Sequence, residues 1–151
     1  MQIARRPNDG SVDDRLGRIM YDAIHHGSLV YTPAERHAWL PRPNAGPAWA
    51  ARLAAQRVWV GYLDGTAQGF ITLDGSYVDL AFVAARAQGQ GLFRALYGAL
   101  EAATAEPHLW THASLTAQPA FLAMGFRVIC EEKIARGSET LRRAKMERVL
   151  E

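Results

Sequence analysis

The chain holds one cysteine, Cys130, so an internal disulfide and a multi-cysteine metal site are both excluded. Cys130 is expected to be a buried strand residue. Lysine is nearly as scarce, occurring only at positions 133 and 145. The remaining basic residues are arginines, scattered with no run of five or six like charges. With a net charge of +2, that distribution argues against a nucleic-acid surface, although the slight positive bias suits an anionic ligand. No apolar run approaches the roughly 18 residues a membrane span needs. The charged start Met1-Gln2-Ile3-Ala4-Arg5-Arg6 is not followed by an apolar stretch, so a signal peptide is not expected. Cytoplasmic residence is the expectation. His25, His26, His37 and His108 fall at helix ends or in loops without metal-ligand spacing, and no metal is expected.

What is present is an ordinary globular composition, 49% apolar and 21% charged, in 151 residues that suit one domain spanning 1–151. Leu16, Ile19, Met20, Ala23 and Ile24 repeat at helical spacing between about Val12 and His26. Thr32-Pro33-Ala34-Glu35 reads as a capped helix start running to about Leu40. A Pro/Gly loop and a short helix over about Ala48–Ala55 follow. Val58–Leu63, Gly69–Leu73 and Tyr77–Val83 then predict three consecutive antiparallel strands, joined by turns at Asp64-Gly65 and Asp74-Gly75.

The third strand runs into the polar loop Ala84–Gly91 and then a helix whose inner face carries Leu92, Ala95, Leu96, Ala99, Leu100 and Ala103. A strand, a glycine loop and a helix N-terminus together aim unpaired backbone N–H groups and a partial positive charge at an anion. Glycine lets a phosphate approach the backbone closely. The loop is no P-loop, because no Gly-x-x-x-x-Gly-Lys-Ser/Thr string exists. It is no Rossmann turn either: Gly89 and Gly91 fit, but Arg94 occupies the third glycine place and hairpin strands precede it.

The stretch resembles motif A of the GNAT acyltransferases, Gln/Arg-x-x-Gly-x-Gly/Ala at a strand-to-helix junction. Spacing to Val83 and to the helix favours the frame Gln88-Gly89-Gln90-Gly91-Leu92-Phe93, in which Phe93 departs from the pattern. The frame Arg86-Ala87-Gln88-Gly89-Gln90-Gly91 satisfies the letters with shifted spacing. Downstream, a strand over Leu109–Ala113, then Ser114, Ala117 and the Gly125-Phe126 pair, match the family layout. Tyr31, Thr32-Pro33 and Trp39 are similar to a bacterial, YafP-like subgroup.

The resemblance implies an α+β fold with a mixed, mainly antiparallel sheet of about six to seven strands whose central strands, Tyr77–Val83 and Leu109–Ala113, splay apart. It implies acetyl-CoA as co-substrate, held by Phe82, Val83, Gln88, Gly89, Gln90, Gly91, Leu92, Phe93 and Ser114. The acetyl group would pass to an amine of a small molecule or peptide by direct attack. Homodimerisation stays open. For the base, the candidates are Asp79, expected to share a face with Tyr77, Ala81 and Val83, and His112, whose intrinsic pKa of roughly 6.5 suits proton traffic. The tyrosine that many members use to protonate the leaving thiolate is replaced by Phe121, so Ser114 or water would take that role. A non-catalytic acyl-CoA sensor is the alternative. Tyr21, Tyr31, Trp39, Trp49 and Trp59 suggest an aromatic acceptor pocket, with Tyr31 and Trp39 its leading residues.

Overall fold

The computed structural model describes residues 1–150. Its strands are β1 (Gln2–Arg5), β2 (Arg57–Leu63), β3 (Thr66–Asp74), β4 (Tyr77–Val83), β5 (His108–Ser114), β6 (Arg127–Arg136) and β7 (Glu139–Val149). Its α-helices are α1 (Asp13–Gly27), α2 (Pro33–Trp39), α3 (Gly46–Ala54), α4 (Leu92–Ala103) and α5 (Gln118–Ala123). All seven strands join one sheet in the order β1-β2-β3-β4-β5-β7-β6. Every neighbouring pair is antiparallel except β4 and β5.

Local chemistry sets the boundaries. Asp64 and Gly65 both adopt positive φ, at 49° and 77°, the conformation that a tight two-residue hairpin turn requires. Thr32 caps α2 with the full capping box: its hydroxyl accepts from the Glu35 N–H, and the Glu35 carboxylate accepts from the Thr32 N–H. Two cores cover the two sheet faces. On one, Leu92, Leu96, Tyr97 and Leu100 of α4 pack with Ile71, Val78, Val83, Phe121 and Phe126. On the other, Leu16, Ile19, Met20 and Ile24 of α1 pack with Trp49, Leu53, Val60, Phe70 and Leu80. Leu92 presses onto Gly61 and Gly69, where an added Cβ would meet its methyls at 2.6 and 3.1 Å. Those glycines let α4 sit close to the sheet, and with it the glycine loop that leads into α4.

The central strands splay as expected. β4 and β5 pair only at Tyr77–Trp110 and Val78–Thr111, so beyond Val78 the β5-facing side of β4 has no ladder partner. A bulge contributes. The β3–β4 register shifts between Ile71 and Leu73, leaving Asp79 and Leu80 opposite Thr72, whose hydroxyl accepts from the Leu80 N–H at 3.0 Å. The bulge corrects one expectation. Val83 and Ala81 do not share the Asp79 face, because past the bulge they pack toward α4, while Leu80 and Phe82 pack toward α1. Cys130 is also corrected: it is exposed, because β6 is one of the sheet's two edge strands and is solvated along most of its length.

Candidate active site

The glycine loop is built as a cradle. A turn of 3-10 helix at Ala85–Ala87 ends β4, and Asp22 of α1 accepts from the Ala85 N–H at 2.7 Å. Gln88 folds back so that its side-chain amide donates to the Val83 carbonyl at 3.1 Å. Gly89 and Gly91 stand at φ 78° and 84°, and a Cβ on either would meet nothing within 4 Å. Positive φ explains glycine at both places, and both glycines line the adjoining cavity. Gly91 is the N-cap of α4 and offers no side-chain acceptor, so the first-turn N–H groups of Leu92 and Phe93 are left for a ligand. The Phe93 ring turns inward, edge-on to Phe121 at 5.2 Å, so the departure from the family pattern leaves the backbone donors in place. The Leu92 side chain is buried in the core, so only its backbone faces the loop. Gln90 points away from the cavity, its amide donating to the Arg86 carbonyl at 3.3 Å.

Beside this loop runs a cavity of about 330 Å³, walled mostly by apolar groups that include Phe82, Val83, Ala87, Leu92, Phe93 and Ala120. Thr116 also lines it, and the Thr116 hydroxyl is buried without a hydrogen-bond partner. An orphaned hydroxyl in an apolar groove is costly unless something enters to pair with it. The sequence showed Thr116 only as one residue of a loop.

A second cavity, about 310 Å³, lies on the other side of the splay. Tyr31, Trp39, Tyr77, Asp79, His112 and Phe121 line it. The two cavities share Ala81, Phe82, Ser114 and Ala117, so they meet where β4 and β5 part. The Ser114 Oγ accepts from the Ala117 N–H at 3.1 Å, which leaves its own O–H free to donate.

Asp79 and His112 both face the second cavity, in different states. The Asp79 carboxylate is held by the Arg52 guanidinium at 3.1 Å and by the Gln56 amide at 2.7 Å. The His112 Nδ1 lies 3.0 Å from the Tyr77 hydroxyl, and its Nε2 lies 3.6 Å from Glu132, which Arg143 holds at 3.1 Å. Burial pushes the His112 pKa down, Arg143 and Lys145 add to this, and Glu132 opposes it. Burial raises the Tyr77 pKa, with the Asp79 charge adding. A neutral imidazole therefore faces a protonated phenol. Tyr77 is a site residue the sequence reading missed, because its contact with His112 depends on the short parallel β4–β5 pairing.

Tyr31 and Trp39 come together, edge-on at 5.5 Å, and Trp39 also meets Phe82 at 6.2 Å. Tyr31 is 3% exposed, its hydroxyl donating to the Arg142 carbonyl at 2.6 Å and accepting from the Leu115 N–H at 2.8 Å. Burial raises its pKa. The other front-half aromatics are not pocket residues. Trp49 is in the α1-side core and donates to the Asp13 carbonyl, Trp59 packs on the α4 side, and Tyr21 stacks on His25. Phe121 is 2% exposed, packed between Phe93 and Phe126.

A glycine cradle at a helix N-terminus, opening onto a cleft between splayed central strands, agrees with the family model for the acetyltransferase (GNAT) domain, which matches residues 30–147. The chain belongs to the GNAT acetyltransferases. It is 30% identical over 107 residues to the uncharacterized N-acetyltransferase YafP of Escherichia coli K12, spanning 71% of this chain and 69% of that one. A crystal structure of a GCN5-related N-acetyltransferase from Rhodopseudomonas palustris superposes with a TM-score of 0.84 at 24% identity, covering 99% of this chain and 95% of that one. YncA of Salmonella typhimurium, solved with its cofactor acetyl-CoA, superposes with a TM-score of 0.65 at 19% identity, covering 100% and 94%. Among the described residues of this GNAT chain, no helix is long and apolar enough to cross a membrane.

Proposed function

We propose that this chain, as one domain over 1–151 working in the cytoplasm, transfers an acetyl group from acetyl-CoA to an amine of a small molecule or peptide by direct attack. The observation that carries this reading is the meeting of the two cavities at Ala81, Phe82, Ser114 and Ala117. One cavity has the cradle for an anionic cofactor and the other has a neutral histidine for an acceptor.

The first cavity fits the cofactor on three counts: open space above two positive-φ glycines, uncapped helix N–H groups, and the buried Thr116 hydroxyl. Gly89, Gly91 and the N–H groups of Leu92 and Phe93 would hold the pyrophosphate, with Phe82, Val83 and Thr116 along the pantetheine arm. When bound, acetyl-CoA supplies an activated acetyl thioester. The unpaired β4 backbone beyond Val78 offers N–H groups to the thioester oxygen, an oxyanion-type stabilisation.

His112 is the base. It is neutral and linked to Tyr77, whereas the Asp79 carboxylate is occupied by an ion pair with Arg52 and a hydrogen bond from Gln56. The amine's proton goes to Nδ1, directly or through the Tyr77 hydroxyl. The Ser114 O–H donates a hydrogen bond to the departing thiolate, which takes its proton from water relayed through that hydroxyl, in place of the aromatic acid that Phe121 cannot supply.

The test is acetyl-CoA consumption against a panel of primary amines. Amine-dependent consumption by wild type, with a lower kcat and near-normal CoA affinity in Ser114→Ala, is expected. CoA binding with no consumption across the panel would favour a sensor that never turns over.

A further inference from the structure

The second cavity carries more information about the acceptor than its aromatic walls alone. Resting on the proposed transfer reading, we infer that the acceptor is an amine on an aromatic or apolar body with an anionic group at its far end, seated toward Arg136. The residues that line the cavity include four arginines, Arg52, Arg136, Arg142 and Arg143, and a single carboxylate, Asp79; Arg142 lines it through its backbone, because its side chain alternates to the other face of β7 from Leu141 and Arg143. Arg52 is spent on Asp79, and Arg143 on the neighbouring Glu132. Among the described residues, Arg136 has no carboxylate within salt-bridge distance. Arg142 also anchors the Tyr31 hydroxyl through its carbonyl. Among the described residues that line the cavity the one carboxylate, Asp79, is already paired with Arg52, so a polycationic amine would find no unpaired carboxylate there for its extra charges.

The ladder gives the length. Ser114 is level with Arg143, while Arg136 is level with Glu139. Four residues along β7 separate the two levels, about 13 Å at strand rise. Ile134 and Leu141, a cross-strand pair between those levels, line the cavity along the way with Trp39. An arginine side chain covers part of the distance, which leaves room for an amine and an anion separated by a ring or several carbons. An α-amino acid, with its two groups adjacent, is too short.

A matched series tests this: 4-(2-aminoethyl)benzoate, 4-(2-aminoethyl)benzamide and 4-(2-aminoethyl)benzylamine present the same reacting amine with a negative, neutral or positive far end. Acetylation by wild type should fall in that order in kcat/KM, by about tenfold or more from acid to amide, as expected for a charge-assisted contact. Arg136→Gln should bring the acid-to-amide ratio close to one. Arg127→Gln, an exposed arginine of the same strand paired with Glu147, should keep it. Equal use of the three probes, preference for the diamine, or no acetylation of the benzoate would overturn the inference. Thermal stabilisation by acetyl-CoA is measured alongside. Stabilisation without anion preference sinks only this inference, whereas absence of stabilisation sinks the transfer reading beneath it.

Discussion

Removing the Tyr31 hydroxyl, by Tyr31→Phe, separates two roles for that residue. The hydroxyl bridges the Arg142 carbonyl of β7 and the Leu115 N–H at the end of β5, at 2.6 and 2.8 Å, from a side chain that is 3% exposed. Phenylalanine keeps the ring and its edge contact with Trp39, so packing is conserved and only the two bonds are lost. Each buried partner left unsatisfied costs about 1–3 kcal/mol. Arg142 is exposed enough for water to replace part of its bond, so the sum is about 2–4 kcal/mol. In a domain of this size each kcal/mol moves Tm by roughly 2–4 °C, so a fall of about 4–16 °C is predicted. Differential scanning calorimetry on the apo protein is the assay. A Tm within about 1 °C of wild type, with a raised acceptor KM, would refute the clamp and return Tyr31 to the acceptor wall.

Thr116→Val should leave apo stability unchanged or raise it, because it removes an orphaned buried hydroxyl, while weakening CoA affinity; isothermal titration with CoA and a thermal melt check the opposite signs. For His112 the folded pKa lies below its unfolded value of roughly 6.5, so the unfolded chain binds the proton first. Its contribution to stability is therefore present above about pH 6.5 and is lost as pH falls toward the lowered folded pKa. The same depression predicts an acidic limb in kcat/KM that lies below pH 6.5 and is lost in His112→Ala. A limb that persists unchanged in that variant would remove His112 as base.

Much of the fold is legible because its signals are local. The Asp64-Gly65 turn, the Thr32–Glu35 capping box and the α4 periodicity each depend on residues within one turn or one hairpin. The glycine cradle is legible for the same reason. The far side of the site is not, because it depends on which strands become neighbours. The face of Asp79 is decided by a bulge opposite Thr72, and its partners are Arg52 and Gln56, delivered by α3 and the residues after it. Tyr77 meets His112 only through a two-residue parallel pairing. Cys130 looks like an interior strand residue until the strand order places β6 at the sheet edge. Tyr31 was picked out as an aromatic, but its hydroxyl partners lie 84 and 111 residues away.

The claim on which everything else rests is that CoA binds against the Gly89–Gly91 loop, and CoA-dependent thermal stabilisation of three proteins tests it. Wild type at about 100 times the dissociation constant should gain roughly 2.7 kcal/mol. Gly91→Ala and Gly91→Glu both force a side chain onto a residue at φ 84° and should lose about 1–2 kcal/mol of apo stability. Gly91→Ala keeps the backbone donors and should retain most of the CoA-dependent gain, whereas Gly91→Glu sets a carboxylate against the pyrophosphate and should lose most of it. An equal gain in wild type and Gly91→Glu would contradict the account.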